Sequence, residues 1–574
     1  MRMKPIIAIS VVCAAIMFVD AEAVVRRGSP LVVLPKTAEL VPAETIVLVD
    51  ISDFNHVRAQ FERSSIYKLC KDPAMASFVE SFAGKWRQKL QQDVSPVIEA
   101  ILDANGLPEG RVAVAFVPAE NAGVEQAMSV LVISQCGANT DGIKEAIEKM
   151  AAKPAYYFID DCLIAGTDVN TVKFVVSRIK GVPGAKVLAA DPDYIAAMSV
   201  VRPYHAARLA AGGDVDLYVN LKELLKRTAD EDQKMMSNLG FDNVAGLGCS
   251  LCFGADGSGS LCAKAFLKTV GTRRGVLKML ETHSEAIRAP AFVPASAYSV
   301  IFLNVDVRQV FDEWCGIDPA FAATLQKPLV EPGEDGEPGV SLRQDIIEHL
   351  GSEIVIAQSI NKPFSAGVMP SETLIAVAVS NRGALEKSLS RWMEPNNPEY
   401  TRELLGHTIY LLGPAGVPFS GKAAVPAGEQ TSPGVAGMAF TTTDTHLILG
   451  REPAVERAIR TLAGAESEPV GSAEWFNAAK SAVPSVVGLA GFEDSSVSGE
   501  LLWWMLKTSA NAGHVDMGIG PGAAVLARPD LWQFGDFGLL PEFDAVRKYF
   551  GCSAFYGVNR VDGFLFEFKY LNPK

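Results

Sequence analysis

Short β-branched runs alternate along the chain with stretches whose apolar residues recur every three or four positions, the periods of strands and of helices packed against them. The first run, Thr45 to Asp50, is entered through Leu40-Val41-Pro42-Ala43, where proline fixes the approach. Phe54, Val57 and Phe61 then form a helical stripe, and a second helix opening at Asp72-Pro73 carries Phe78, Phe82, Trp86 and Leu90. Strands are predicted over Arg111 to Val117 and Met128 to Ser134, followed by a helix with Ile143, Ile147 and Met150 on one side. A hairpin of Tyr156 to Ile159 and Cys162 to Ala165 turns at Asp160-Asp161. Beyond Gly166 come a helix with Val172, Val176 and Ile179, a short helix with Tyr194 and Ile195, and the strand Asp216 to Asn220.

Much of this succession returns. Phe292-Val293-Pro294-Ala295 leads into Ser299 to Asn304 as the earlier phrase led into Thr45 to Asp50. Val41 and Val293 lie 252 residues apart, Ser134 and Ser380 246, and Gly166 and Gly450 284, so about 38 extra residues fall between the last two landmarks of the second copy. Gly413 to Gly434, rich in Gly, Pro and Ala, is expected to supply much of that surplus as an exposed loop. Val455, Ile459 and Leu462 continue the match, and Glu474-Trp475-Phe476 stands where Asp193-Tyr194-Ile195 did.

Between the copies, Asn243 to Phe253 and Ser260 to Lys268 form a predicted hairpin about Asp256-Gly257, and a helix is expected over Arg274 to His283. At the tail, Phe543 to Phe550 reads as helical, and Ser553 to Asn559 pairs with Phe564 to Tyr570 about Asp562-Gly563, an echo of the passage from Ile346 through Gly351 to Ala357. The predicted fold is α+β: two tandem related modules of mainly antiparallel sheet with helices largely on one face, plus a C-terminal part-module. The divisions are a signal peptide at 1–23, a mobile arm at 24–39, modules at 40–290 and 291–495, and the part-module at 496–574.

The N-terminus sets the compartment. Arg2 and Lys4 precede an apolar run from Pro5 to Val19, and Ala21-Glu22-Ala23 offers the small residues that signal peptidase accepts. Cleavage after Ala23 is favoured. A lipoprotein signal at Cys13 is disfavoured by Val12 before it. An uncleaved anchor is the other alternative, since Arg26 and Arg27 follow closely, but the run is shorter than the roughly 20 residues of a spanning helix. The expected product is exported, periplasmic or extracellular, with no transmembrane span after cleavage. A net charge of -14 in 574 residues argues against nucleic acid or an anionic bilayer as partner.

Chemistry is less legible than organisation. Gly416 to Ala423 has phosphate-loop spacing, but Ala423 replaces the magnesium-binding hydroxyl and no helical pattern follows. Ser65-Ile66-Tyr67-Lys68 fits Ser-x-x-Lys, a two-residue pattern expected by chance in a chain this long. The seven histidines are scattered, and the acidic stretch at Glu331, Glu334, Asp335 and Glu337 lacks calcium-loop spacing. Cys249 and Cys252 have CxxC spacing but point to opposite faces of a strand. Cys252 and Cys262, each five residues from Gly257, are the candidate disulfide; buried free thiols are the other reading. Leu501 to Leu506 is the densest apolar stretch after the signal, and its Trp503 and Trp504 are the candidate interaction surface, with core burial the alternative. No cofactor or metal is expected.

The signal peptide, the Val-Pro-Ala strand, the hairpin leading through Gly450-Arg451-Glu452-Pro453 into a helix, and the ending from Leu540-Pro541 to Gly551 resemble a family of secreted bacterial proteins of unknown function associated with planctomycete and verrucomicrobial cell envelopes. The likeness covers most of the mature chain. It implies export and a repeated strand module, and it supplies no catalytic residues. The leading expectation is a non-enzymatic binding or scaffolding component whose partner is an envelope protein or ligand. The rival is a hydrolase of envelope polymer or peptide, with residues gathered from distant parts of the chain.

Overall fold

The computed structural model describes residues 33–93, 108–118, 128–137, 140–149, 154–184, 186–202, 214–228, 230–254, 260–333, 338–364, 370–393, 401–412, 437–465, 467–512 and 535–573. The first half contributes strands β1 (Val47–Ile51), β2 (Val112–Pro118), β3 (Met128–Gln135), β4 (Ala155–Ile159), β5 (Cys162–Gly166), β6 (Val215–Val219), β7 (Val244–Phe253) and β8 (Leu261–Thr269). The second contributes β9 (Glu285–Ala286), β10 (Ala297–Asn304), β11 (Leu350–Ile360), β12 (Ser371–Val379), β13 (Thr401–Leu404), β14 (His407–Leu412), β15 (Met438–Thr442), β16 (His446–Arg451), β17 (Val486–Val487), β18 (Leu489–Asp494), β19 (Cys552–Arg560) and β20 (Gly563–Leu571).

All but β9 and β17, which form a small ribbon, join one 18-stranded sheet whose neighbours are all antiparallel. Read across, the order is β4-β5-β3-β2-β1-β6-β7-β8, then β20-β19-β18-β10-β11-β12-β16-β15-β14-β13. Counted outwards from the β8–β20 seam, the two sides follow one succession: a hairpin, the strand after the second of two helices, the strand after the Val-Pro-Ala phrase, two more strands, and a hairpin. The second side then adds β14 and β13. The stretch 496–574 thus supplies two strands at the centre of the common sheet.

The helices used below are α1 (Thr37–Leu40), α2 (Phe54–Phe61), α3 (Ala76–Asp93), α4 (Thr140–Lys149), α5 (Val169–Ile179), α6 (Pro192–Val201), α7 (Val307–Ile317), α8 (Arg382–Met393), α9 (Glu452–Leu462), α10 (Glu474–Ser481) and α11 (Ser495–Ala512). Aspartates start several of them: Asp53, Asp168, Asp191 and Asp306 accept backbone N–H groups in the first turns of α2, α5, α6 and α7. The helix expected over Arg274 to His283 is a single turn, Val276–Met279.

Helices cover both faces, where the sequence had pointed to one. On one face α5 and α6 meet Leu131, Ile133 and Ile164, and α9 and α10 meet Ala376, Ile448 and Phe492. On the other, α4 packs on Val132, Leu163 and Ala165, α8 on Phe440 and Leu449, and α2 beside Ile51 and Phe253. The reason lies in strands such as β5, apolar and buried at every position, which need cover above and below.

Candidate functional site

A row of polar side chains crosses the centre of the sheet on the face carrying α6 and α10. Register pairs Asp50 with Asp216, Asp216 with Ser250, Ser250 with Lys264, Lys264 with Glu567, and Glu567 with Tyr556. Direct cross-strand neighbours share a face, so six adjacent strands present one continuous polar line.

At its first end Asp50 is 9% exposed and Asp216 4%. Thr37 Oγ1, on α1, donates to Asp50 Oδ1 at 2.6 Å, and Arg111 Nε stands 4.0 Å from the same oxygen. Arg111 also donates through Nη1 to the carbonyl of Pro35. Arg202, just beyond α6, donates from Nε to Asp216 Oδ2 at 2.8 Å and from Nη2 to Tyr194 OH at 3.2 Å. Among the described residues, Asp216 Oδ1 and Ser250 Oγ are buried with no hydrogen-bond partner. Burial pushes the Asp50 carboxyl above its ordinary value; Arg111 and Thr37 oppose this, and Asp216 adds to it. Burial likewise raises Tyr194, against the pull of Arg202.

At the seam, Glu567 gathers Lys264 and Lys569, each at 3.4 Å, the Tyr556 hydroxyl at 2.7 Å and the Cys262 thiol at 3.7 Å. Burial raises the Glu567 carboxyl, but Tyr556 and the two lysines outweigh it and the net direction is down. Beyond Tyr556 the row turns apolar: Ala490, Phe302, Val355, Ala376 and Ile448. At equal counts from the seam, Asp216 therefore answers to Ala490 and Asp50 to Phe302. The covering helices differ in the same sense. Tyr194 meets Tyr218 edge-on at 5.0 Å, whereas Phe476 meets Phe492 edge-on at 5.2 Å.

The residues singled out from sequence fall elsewhere. Cys252 and Cys262 are direct cross-strand partners with no disulfide between them, and Cys249 lies on the other face from Cys252. Burial first, then Glu567, pushes the Cys262 thiol up to about 11. Trp503 is not on a surface: it is 7% exposed among Met75, Phe543 and Val546, and its Nε1 donates to the Pro541 carbonyl at 2.8 Å. Trp504 is half-buried, 5.2 Å from the Phe364 ring. Ser65 Oγ donates to Asn572 Oδ1 at 2.9 Å. The phosphate-loop-like segment, the glycine-rich loop, the signal region and Glu334, Asp335 and Glu337 lie outside the described residues.

Among the described residues no cluster of His, Cys, Asp and Glu has the makings of a metal site, and no helix is long and apolar enough to cross a membrane. A separate open depression of about 550 Å³ is lined by Asp306, Arg308, Asp312, Arg343 and Glu348. Its arginines are held by its acids: Arg343 forks onto Asp312 with two 2.9 Å bonds and reaches Glu348 at 2.7 Å. Comparisons with protein-family models, with curated proteins and with solved structures find no match.

Proposed function

We propose that the chain is an exported, non-enzymatic binding or scaffolding component of a cell envelope, made of two related modules joined edge to edge. The observation that carries this reading is the single antiparallel sheet itself, a plate of 18 strands covered by helices on both faces. At about 4.8 Å per strand the path across the sheet from one border to the other runs roughly 80 Å, which leaves room for partners at separate places along it. Its interior ionisable groups hold one another: Asp216 takes Arg202, and Glu567 takes Lys264 and Lys569. The signal-like N-terminus supports export, and the matched strand succession supports two modules.

Affinity capture with the mature chain from an envelope extract tests the reading, with recovery of a saturable partner or ligand expected. Turnover of envelope polymer or peptide by the purified chain would overturn it in favour of a hydrolase. The neighbouring carboxyls Asp50 and Asp216 are the observation that keeps that second reading in view. It requires Asp216→Asn to abolish turnover while leaving the fold intact.

A further inference from the structure

The N-terminal segment is tied to the polar row at several points. Thr37 Oγ1 donates to Asp50, the Pro35 carbonyl accepts from Arg111, and the Glu39 carbonyl accepts from Arg178 at 3.4 Å. Thr37, Leu40 and Val41 are wholly buried, so the segment lies as a cover over Asp50. The backbone then crosses a bridge, with Ala43 N–H donating to the Lys186 carbonyl at 3.2 Å and Leu188 N–H to that of Val41 at 3.1 Å.

The other half uses the same backbone bridge without the acid. Ala295 N–H donates to the Glu468 carbonyl at 2.8 Å, and Val470 N–H to that of Val293 at 2.8 Å. Five residues before the bridging proline stands Thr37 in one half and Ala289 in the other; eight residues after it stands Asp50 in one and Phe302 in the other. Hydroxyl and carboxyl are present together or absent together. Docking such a segment therefore needs no carboxylate, and a buried acid that an apolar ring replaces elsewhere in the same sheet calls for its own reason.

We propose that Asp50 is a proton-operated latch on the chain's own N-terminal segment, residues 35–41, holding it firmly while neutral and loosening it on ionisation. The groups facing Asp50 are Thr37 from α1, Arg111 at the entry to β2, Asp216 from β6, and Tyr194 and Arg202 at α6. Burial in the sheet interior, to which the covering segment adds, weighs most in raising the carboxyl, ahead of Arg111 and Thr37, which favour the charge. The docked state thus binds the proton more tightly than a solvated Asp50 would. Docking is strongest below the ordinary carboxylate range and weakens as pH rises through the elevated pKa of the docked acid.

Hydrogen exchange on the full chain, followed by mass spectrometry over residues 37–45 across a pH series, tests this after correction for the intrinsic pH dependence of exchange. Protection is expected to fall about tenfold for each unit by which docking raises the acid, while peptides containing Ala295 and Val470 keep theirs. Asp50→Asn should remove the fall. Thr37→Val, which takes away the hydroxyl favouring the charged acid, should move it to higher pH. An unchanged profile in Asp50→Asn, or parallel loss at Ala295 and Val470, overturns the latch. Should Asp50→Asn fail to fold, an unshifted profile in Thr37→Val overturns it alone.

Discussion

Trp503 and Trp504 are adjacent in sequence yet sit in different surroundings. Trp503 fills a core with Phe543 and Phe550, while Trp504 leans on Phe364 at the helix flank. Trp503→Ala should therefore lower stability by about 3–5 kcal/mol in a denaturant titration. Trp504→Ala should cost well under half as much, and equal losses would contradict the burial difference. The apolar run was legible, but not which side of it would be covered, because a helix apolar nearly all round carries no phase. Cys252 and Cys262 were legible as partners because a hairpin places equal offsets opposite each other. Exchange requires the thiolate, and Cys262 is held up at about 11. All eight described cysteines should then label at neutral pH after denaturation without reductant, and the count should fall to six once the folded chain has stood in air near pH 11. A count of six at neutral pH would mean that the bond closes without that barrier.

At the scale of elements, the β8–β20 pair depends on Glu567. Glu567→Gln keeps a bond to Tyr556 but leaves Lys264 and Lys569 without their carboxylate, and should destabilise the chain by roughly 1–3 kcal/mol at neutral pH. Because the folded carboxyl sits below its ordinary value, this contribution is present above that value and disappears as pH falls through the folded pKa. Thermal melts of the two proteins should converge in acid, and a gap that widens there would refute the assignment. The hairpin strands were readable from alternation and from Asp562-Gly563. Gly413 to Gly434, the stretch expected to carry much of the second half's surplus as a loop, lies outside the described residues, and another part of the surplus is the hairpin β13–β14 turning at Leu405 and Gly406, both at positive φ. Leucine in that place gives no turn signal, since asparagine or aspartate is the residue that marks such a bend. Asp50 and Asp216 left a trace, charged residues inside the β-branched runs Val47–Ile51 and Val215–Val219, but only the register shows that they are neighbours.

For the whole molecule, the order of elements was legible and their closure into one sheet was not. Periodicity reports which face of a strand is buried, whereas the seam is made by backbone hydrogen bonds that any sequence can offer. Its position has a consequence for solubility. Either half alone would end in a strand of nine residues, β8 or β20, with a row of unmet N–H and C=O groups on which another chain could grow. Pairing these two margins with each other leaves, among the described residues, β4, five residues long, and β13, four residues long, as the outer borders of the sheet. The joined chain thus offers fibre growth two short footholds in place of two long ones.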